Sequence, residues 1–236
     1  MKILNEPDVR ILAMSYPVIE GWHSFAIDQT NKDNLEKIIE LAARNCYKSK
    51  LSSTTEDRAK FVNKIVNVNH HESVAEHASL TFEFTCSRAV LAEITRHRLA
   101  SFSVESQRYV DYDKKGLRFM KPSWIKEEDL KYYIDNDPFE PGPNPDVYTW
   151  YNQLKSIEAN YNSLRELGWK PEQARDILPN CTACNIIMTA NVREWRHIFD
   201  LRCAPSAYSE MQVVANKIYK ICNKVSPTLF NKNEQS

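Results

Sequence analysis

The chain has 236 residues, 42% of them hydrophobic and 11% aromatic, enough for a sizeable core and unlike a disordered sequence. Lys and Arg total 31, as do Asp and Glu, so bulk attraction to nucleic acid or an anionic membrane is not expected, and any working positive charge must be local. The four glycines (21, 116, 142 and 168) are scattered. That excludes a Gly-x-Gly-x-x-Gly turn and a P-loop, so a bound phosphate must be held largely by side chains.

The opening "MKILNEPDVRILAM" is interrupted by Glu6, Asp8 and Arg10 before an apolar run forms, so no signal peptide is expected. Residues 9–16 read as a short strand. Residues 33–47 read as a helix, with Asp33 and Glu36 in a capping-box pattern and an apolar stripe through Leu35, Ile38, Ile39 and Ala42. A second helix is expected over 55–68, with Phe61, Val62 and Ile65 inward. "SLTFEFTCS" (79–87) alternates, with Leu80, Phe82, Phe84 and Cys86 on one face, as a half-buried strand does. Helical spacing follows over 88–100, then a possible strand at 116–122. Residues 135–146 carry four of the eleven prolines and read as a loop. A helix over 147–168 is closed by Gly168, and Pro171 starts a short one through Leu178. Residues 184–191 read as a strand, and Asn191 caps the helix "VREWRHIFDLRC", with Glu194 at the capping-box position. A last helix covers about 206–225. No stretch approaches the roughly 20 apolar residues of a membrane span. Strands and helices alternate irregularly, which favours α+β over a doubly wound sheet.

Chemistry concentrates in "RHRLASFSVESQRYV" (96–110), where Arg96, His97, Arg98 and Arg108 crowd together with Ser101, Ser103 and Ser106. On one helix, successive residues point about 100° apart, so the first three would grip a large ligand or two ligands on adjacent faces. Ser106 and Arg108 would share a face if extended, and a hydroxyl beside a guanidinium fork suits a phosphate. A solvated basic helix end, favoured by the helix dipole, is the plainer alternative.

The spacing Arg96-His97-Arg98, seven residues, Ser106, one residue, Arg108 resembles the signature of the flavin-dependent thymidylate synthases. "HHESVAEH" (70–77), "LAEITRHR", "ARDILP" (174–179), "TANVREW" (189–195) and "FDLRCAPSAYSEM" (199–211) are similar to segments of that family in the same order. The resemblance implies one α+β domain over 1–236 with a mostly antiparallel sheet. It also implies a homotetramer with sites at subunit interfaces. The implied reaction is reductive methylation of dUMP to dTMP. Methylenetetrahydrofolate gives the one-carbon unit, FAD reduced by NADPH gives the hydride, and no enzyme cysteine acts as nucleophile.

By the same resemblance, Arg96, His97 and Arg98 contact the flavin, with Ser73, Glu76, Asn191, Arg193 and His197 at further flavin positions. Glu93 and Arg96 border the nucleotide. Val104, Glu105, Ser106, Gln107 and Arg108 form its phosphate loop, Val104 also reaching the flavin through its backbone, and Arg175 is a second phosphate ligand. Arg202 stands at the pyrimidine edge, where a fixed cation would stabilise the charge that develops as N3 ionises. His71 lies near the flavin ring and folate, and Arg202, Ser106 and His71 are the implied catalytic group. The chain departs from the common pattern at Ser103 and His197, where Asn is frequent, and at Val104, where an acidic residue is frequent.

The remaining features read more plainly. Cys181 and Cys184 make a CxxC without the partners a zinc site needs, and the six cysteines are expected to be reduced thiols in a cytoplasmic protein. Arg165 and Arg193 could both be helix-surface charges, the preferred reading for Arg165. Two rival functions belong to other classes. A nucleic-acid module using the same arginines would show strong salt-dependent binding without flavin uptake. A binding protein without synthase activity would take up nucleotide and not turn it over.

Overall fold

The computed structural model describes residues 1–17 and 33–231. In chain order, β1 (Lys2–Leu4) and β2 (Asp8–Met14) precede α1 (Asn34–Tyr47) and α2 (Thr55–Val62). A π-helical turn (Asn63–Val68) and a 3₁₀ segment (Glu72–His77) lead into β3 (Ser79–Ser87) and α3 (Arg88–Ile94). Then come β4 (Ala100–Val104), α4 (Tyr112–Lys115), β5 (Arg118–Met120) and α5 (Glu127–Asn136). The long α6 (Pro145–Glu166), α7 (Pro171–Ala174) and a 3₁₀ turn (Arg175–Ile177) are followed by β6 (Ala183–Asn191), α8 (Val192–Arg202), α9 (Ser209–Val225) and α10 (Pro227–Phe230). The class is α+β. Four strands form one sheet in the order β2-β3-β6-β4, and β1 and β5 form a separate parallel pair.

The described residues cluster into two compact units, each built from three stretches of chain. One draws on 1–8, 84–95 and 103–186, the other on 9–83, 96–102 and 187–236. In the first, Tyr112, Leu117, Phe119, Leu154 and Tyr161 form an apolar cluster, and Ile125, Leu130, Tyr133, Val147 and Tyr151 another. The N-terminal ammonium pairs with Glu158 of α6 at 2.6 Å. Gly168 follows α6 at φ +90°, a conformation that suits a residue without Cβ.

In the second unit β2 and β3 run antiparallel: Ser15 N–H donates to Ser79 C=O at 2.9 Å, while Arg10, earlier on β2, pairs with Glu83, later on β3. The β3–β6 pairing is antiparallel as well, with the Thr81 and Thr189 hydroxyls 2.9 Å apart in this unit and Thr85 donating to Asn185 at 2.8 Å in the other. The alternation of β3 emerges as expected, with Leu80, Phe82, Phe84 and Cys86 all buried. Trp195 of α8 meets Phe82 edge-on at 5.1 Å, stacks with Phe199 at 6.0 Å, and donates its indole N–H to Leu80 C=O at 3.1 Å. An aromatic pair in such geometry is worth about 0.5–1.5 kcal/mol beyond its buried area.

Several local expectations change. The helix expected over 88–100 ends at Ile94, and 100–104 is a strand. Thr95 ends it: its hydroxyl donates back to Leu91 C=O at 2.8 Å, competing with continuation of the helix. The 55–68 helix loosens into the π turn after Val62, and Phe61 is half-buried beneath the Arg44 guanidinium. Asp33 makes no side-chain cap bond to α1 and instead pairs with Arg58 and Lys37. Arg165 is no idle surface charge, since it grips Asp111 with Nε at 3.0 Å and Nη2 at 2.9 Å. The proline-rich stretch shortens to a connection between α5 and α6, because Asp135 and Asn136 still belong to α5 and Pro145 opens α6.

Candidate functional site

Because α3 stops at Ile94, Arg96, His97 and Arg98 lie in a turn and not on a helix. Their side chains diverge accordingly. Arg96 and Arg98 are exposed, whereas His97 is buried at 5% exposure. His97 packs on α8. The cap of that helix forms as its sequence requires, with Asn191 Oδ1 accepting the Glu194 backbone N–H at 2.8 Å. Glu194, His197, Leu201 and Arg202 follow one another at helical spacing and share a face.

Both ring nitrogens of His97 are engaged on that face. Nδ1 lies 3.1 Å from Glu194 Oε1, and Arg202 Nε donates to Nε2 at 3.1 Å. A guanidinium can only donate, so Nε2 must accept and Nδ1 must carry the proton. His97 is therefore neutral in a fixed tautomer. Burial pushes its pKa below the ordinary histidine value, the hydrogen bond it donates to Glu194 pulls the other way, and the positive charge of Arg202 adds to the depression. The His197 ring meets it edge-on at 5.8 Å.

Two cavities adjoin here and share Leu99, Glu194 and His197 as lining. The one of about 570 Å³ is cationic among the described residues, which set Arg96, Arg98 and Arg202 against the carboxylate of Glu194. The other, about 460 Å³, adds Asn191, Arg193, Arg196, Glu72, Glu76 and Asp200. There the charges are largely paired: Arg193 with Glu76 at 2.5 Å and Glu72 at 3.7 Å, and Arg196 with Glu72 at 3.4 Å. Arg193 is thus an anchored cation rather than a loose surface charge. Ser73 and His71 are exposed near the start of the 3₁₀ segment that carries Glu72 and Glu76. His70 just before it has φ +54°, a left-handed conformation costing a non-glycine residue about 1–2 kcal/mol, and it turns the chain at this point.

The phosphate-loop residues belong to the first unit. Ser106 to Arg108 form a turn, so the condition under which the two side chains would share an extended face is not met. Ser106 C=O accepts from Val110 N–H at 3.0 Å, and its hydroxyl accepts from Arg108 N–H at 3.2 Å. Arg108 Nε donates to Glu172 Oε2 on α7 at 2.9 Å, and Arg175 lies exposed one turn further along. Glu172 therefore draws Arg108 toward the segment carrying Arg175. Gln107 is buried, and its amide nitrogen has no hydrogen-bond partner among the described residues. The Glu105 carboxylate is engaged by Arg118 at 2.6 Å, the Tyr112 hydroxyl at 3.0 Å and Asn185 N–H at 3.2 Å, so its side chain anchors the turn. Val104 ends β4 half-buried, and Glu93 is half-buried in the last turn of α3.

Sequence reasoning treated Glu194 as a helix cap and did not nominate Glu72, Leu99, Glu172, Arg196 or Asp200. Only Glu194 carried a local signal, and that signal pointed to the wrong task. Among the described residues no group of His, Cys, Asp and Glu could hold a metal ion, and no helix is long and apolar enough to cross a membrane. The cysteines are present as thiols.

Comparison with known proteins bears on this arrangement. Residues 27–228 match the family model described as thymidylate synthase complementing protein. The chain is 34% identical over 204 residues to the flavin-dependent thymidylate synthase of Geobacter sulfurreducens, covering 83% of this chain and 80% of that one. It is 32% identical to the probable flavin-dependent thymidylate synthase of Mycobacterium phage L5, over 83% and 79% of the two chains. With the enzyme of that name from Mycobacterium tuberculosis it shares 31% identity over 85% of this chain and 80% of that one. With the signature arginines, a family model matching most of the chain and relatives of this extent, the chain belongs to the flavin-dependent thymidylate synthase family.

Proposed function

We propose that the protein is an FAD-dependent thymidylate synthase that methylates dUMP reductively, with methylenetetrahydrofolate and NADPH as co-substrates. The observation that carries this reading is Arg202, held by His97 in the wall of a cavity that Arg96 and Arg98 make cationic. The donor set suits a dinucleotide without glycine turns: arginines for the pyrophosphate, and paired charges with Asn191 for sugar and ring edges. Arg96, Arg98, Asn191, Arg193 and His197 would hold FAD, with Ser73 and Glu76 at its border, and His97 acts from beneath. When bound and reduced, the flavin supplies hydride equivalents for the new methyl group.

The protein's own residues bind, orient and polarise. Arg202 at the pyrimidine edge stabilises negative charge as N3 loses its proton, which makes carbon 5 more nucleophilic; such stabilisation acts in the transition state more than in the ground state. Ser106, the spare donor of Gln107, Arg108 and Arg175 bind the nucleotide phosphate, with the backbone of Val104 and Glu105 shaping the turn. Glu93 borders the sugar, and His71 lies beside the flavin and folate. We further propose one functional domain over 1–236, a cytoplasmic location and a homotetramer with sites at subunit interfaces. Leu12, Met14 and Tyr16, 44%, 37% and 47% exposed along edge strand β2 and just after it, support assembly, since an apolar sheet edge seeks cover.

The test is tritium release from dUMP labelled at carbon 5, with methylenetetrahydrofolate and NADPH, with and without added FAD. Flavin-dependent release together with dTMP is expected. Uptake of nucleotide and flavin with no release would leave a binding protein.

A further inference from the structure

Ser73 and Glu76, assigned to the flavin, stand on a segment that its own backbone holds poorly. The 3₁₀ stretch Glu72–His77 is six residues long, beyond the three or four that such helices usually sustain. It is entered through His70 at positive φ, and its cap residue His71 makes no side-chain cap bond. Part of what fixes it comes from α8. Arg193 and Arg196, three residues apart on one face of that helix, both reach Glu72. Glu72 Oε1 lies 3.4 Å from Arg196 Nη2, and Oε2 lies 3.7 Å from Arg193 Nε.

Arg196 is bound on its other side as well. Its Nη1 donates to Asn67 Oδ1 at 2.6 Å and to Leu229 C=O at 2.8 Å. Asn67 belongs to the π turn, and its Nδ2 donates to Asn63 Oδ1 and to Thr228 C=O, each at 2.8 Å. Thr228 and Leu229 lie at the end of the short α10, where a helix leaves its last carbonyls without intrahelical donors. Arg196 and Asn67 supply those donors. One guanidinium thus ties α8, the π turn and the end of α10 to the segment that bears Ser73 and Glu76. Its side chain is 23% exposed, against 49% for Arg193, so Arg193 stands out into the cavity while Arg196 is largely taken up by the fold.

We propose that Arg196 is a positioning residue of the flavin site. It acts through Glu72, with Asn67 and the end of α10 as its anchor, and it holds the 3₁₀ segment in the conformation that receives FAD. The proposal rests on the assignment of Ser73, Glu76 and Arg193 to FAD, and extends it to groups that need not touch the cofactor. A segment released from this clasp spends part of its time in other conformations, and apparent affinity falls by the fraction that stays competent. The π turn has a place in this reading. Such turns are rare and often mark functional sites, and this one presents Asn67 to Arg196.

The experiment measures the Kd of FAD for the full chain by quenching of flavin fluorescence, well below the melting temperature of each variant. Arg196→Met is expected to raise Kd about tenfold and to quicken hydrogen exchange over residues 72–77. Arg196→Lys keeps a cation for Glu72 and falls between that variant and wild type. Asn67→Leu changes a residue outside the lining of the cavity and raises Kd about threefold. In a Glu72→Ala background, Arg196→Met shifts Kd by less than about twofold, because the carboxylate it acts through is gone. A merely structural Arg196 would lower the melting temperature and leave Kd unchanged below it.

Wild-type Kd in Arg196→Met overturns the proposal. So does a full tenfold shift in the Glu72→Ala background, which would mean that Arg196 meets FAD directly. If Arg196→Met does not fold, Asn67→Leu decides: a raised Kd supports the clasp and a wild-type Kd overturns it. Arg193→Ala separates the two levels. Unchanged Kd there removes the flavin from this cavity and the proposal with it. A raised Kd in Arg193→Ala, beside wild-type values in the Arg196 and Asn67 variants, removes only the positioning role.

Discussion

Glu40→Ala probes the part of the fold that supports the 3₁₀ segment carrying Ser73 and Glu76, since α1 packs against that segment and against α2. Glu40 is 1% exposed, yet it is the hub of a charged cluster. One oxygen accepts from Arg44 Nε at 2.6 Å, Ser52 N–H at 2.9 Å and the Ser52 hydroxyl at 2.6 Å, and the other accepts from Arg58 Nε at 3.0 Å. Removing one member of a buried pair costs about 3–5 kcal/mol, because a charge is left behind without its partner. The lower end applies here: Arg58 keeps Asp33, and Arg44 keeps Ser52 and the face of Phe61 at 3.9 Å. A loss of about 3 kcal/mol corresponds to roughly 6–12 °C in Tm for a chain of this size. The assay is thermal melting followed by circular dichroism at pH 7, at fixed protein concentration and without flavin. Burial alone would raise the Glu40 pKa, but its bonds from Ser52 and Arg44 prevail and hold it below the ordinary carboxylate value. A depressed carboxylate stabilises the fold above its unfolded pKa and loses that contribution as pH falls. The gap between wild type and variant should therefore narrow below about pH 4.5. A loss under about 1 kcal/mol at pH 7, the range of an exposed ion pair, would refute the reasoning.

Arg108→Ala should weaken dUMP binding about tenfold, the scale of one charge-assisted phosphate contact, while leaving the fold intact; calorimetric titration checks it. Glu172→Gln should act in the opposite direction and tighten dUMP binding about twofold, because its carboxylate competes with phosphate for Arg108. Unchanged affinity in both variants would remove Arg108 from the phosphate site. Glu36 is a case of reversed sign. Burial raises its pKa against the hydrogen bond from Ser226, so its contribution is present below the unfolded carboxylate pKa and is lost as pH rises through the folded value. Glu36→Gln should accordingly raise Tm at pH 8 relative to wild type and show no advantage near pH 4, as melting curves at the two pH values would reveal.

What the sequence disclosed was what depends on near neighbours. The alternation through Leu80, Phe82, Phe84 and Cys86 predicted β3 residue by residue, and Asn191 predicted the start of α8 through a bond spanning three residues. α5 escaped notice despite three acidic residues in its first turn, because Lys126 offers no side-chain cap bond and prolines follow closely. The signature arginines and serine were legible through spacing alone. Their partners were not. Glu194 lies 97 residues from His97, and Glu172 lies 64 residues from Arg108. No local pattern encodes such pairs. Asp33 and Glu194 both looked like capping residues, and in both the side chain leaves the cap for a distant base, Arg58 in one case and His97 in the other.

These distant partners explain how a chain poor in glycine can handle phosphates. A glycine turn offers backbone N–H groups already fixed in place, whereas each arginine loses rotamer freedom worth up to about 2 kcal/mol when it is ordered. Here much of that ordering is built into the fold: Arg108 leans on Glu172, Arg193 on Glu72 and Glu76, and Arg202 on His97. An exposed carboxylate such as Glu172 can hold Arg108 until a phosphate takes its place, so full pairing in the free protein does no harm. One partner of Arg202 is the buried His97 imidazole, which accepts from Nε through Nε2 and gives its Nδ1–H to Glu194, so that contact depends on a single tautomer of the ring.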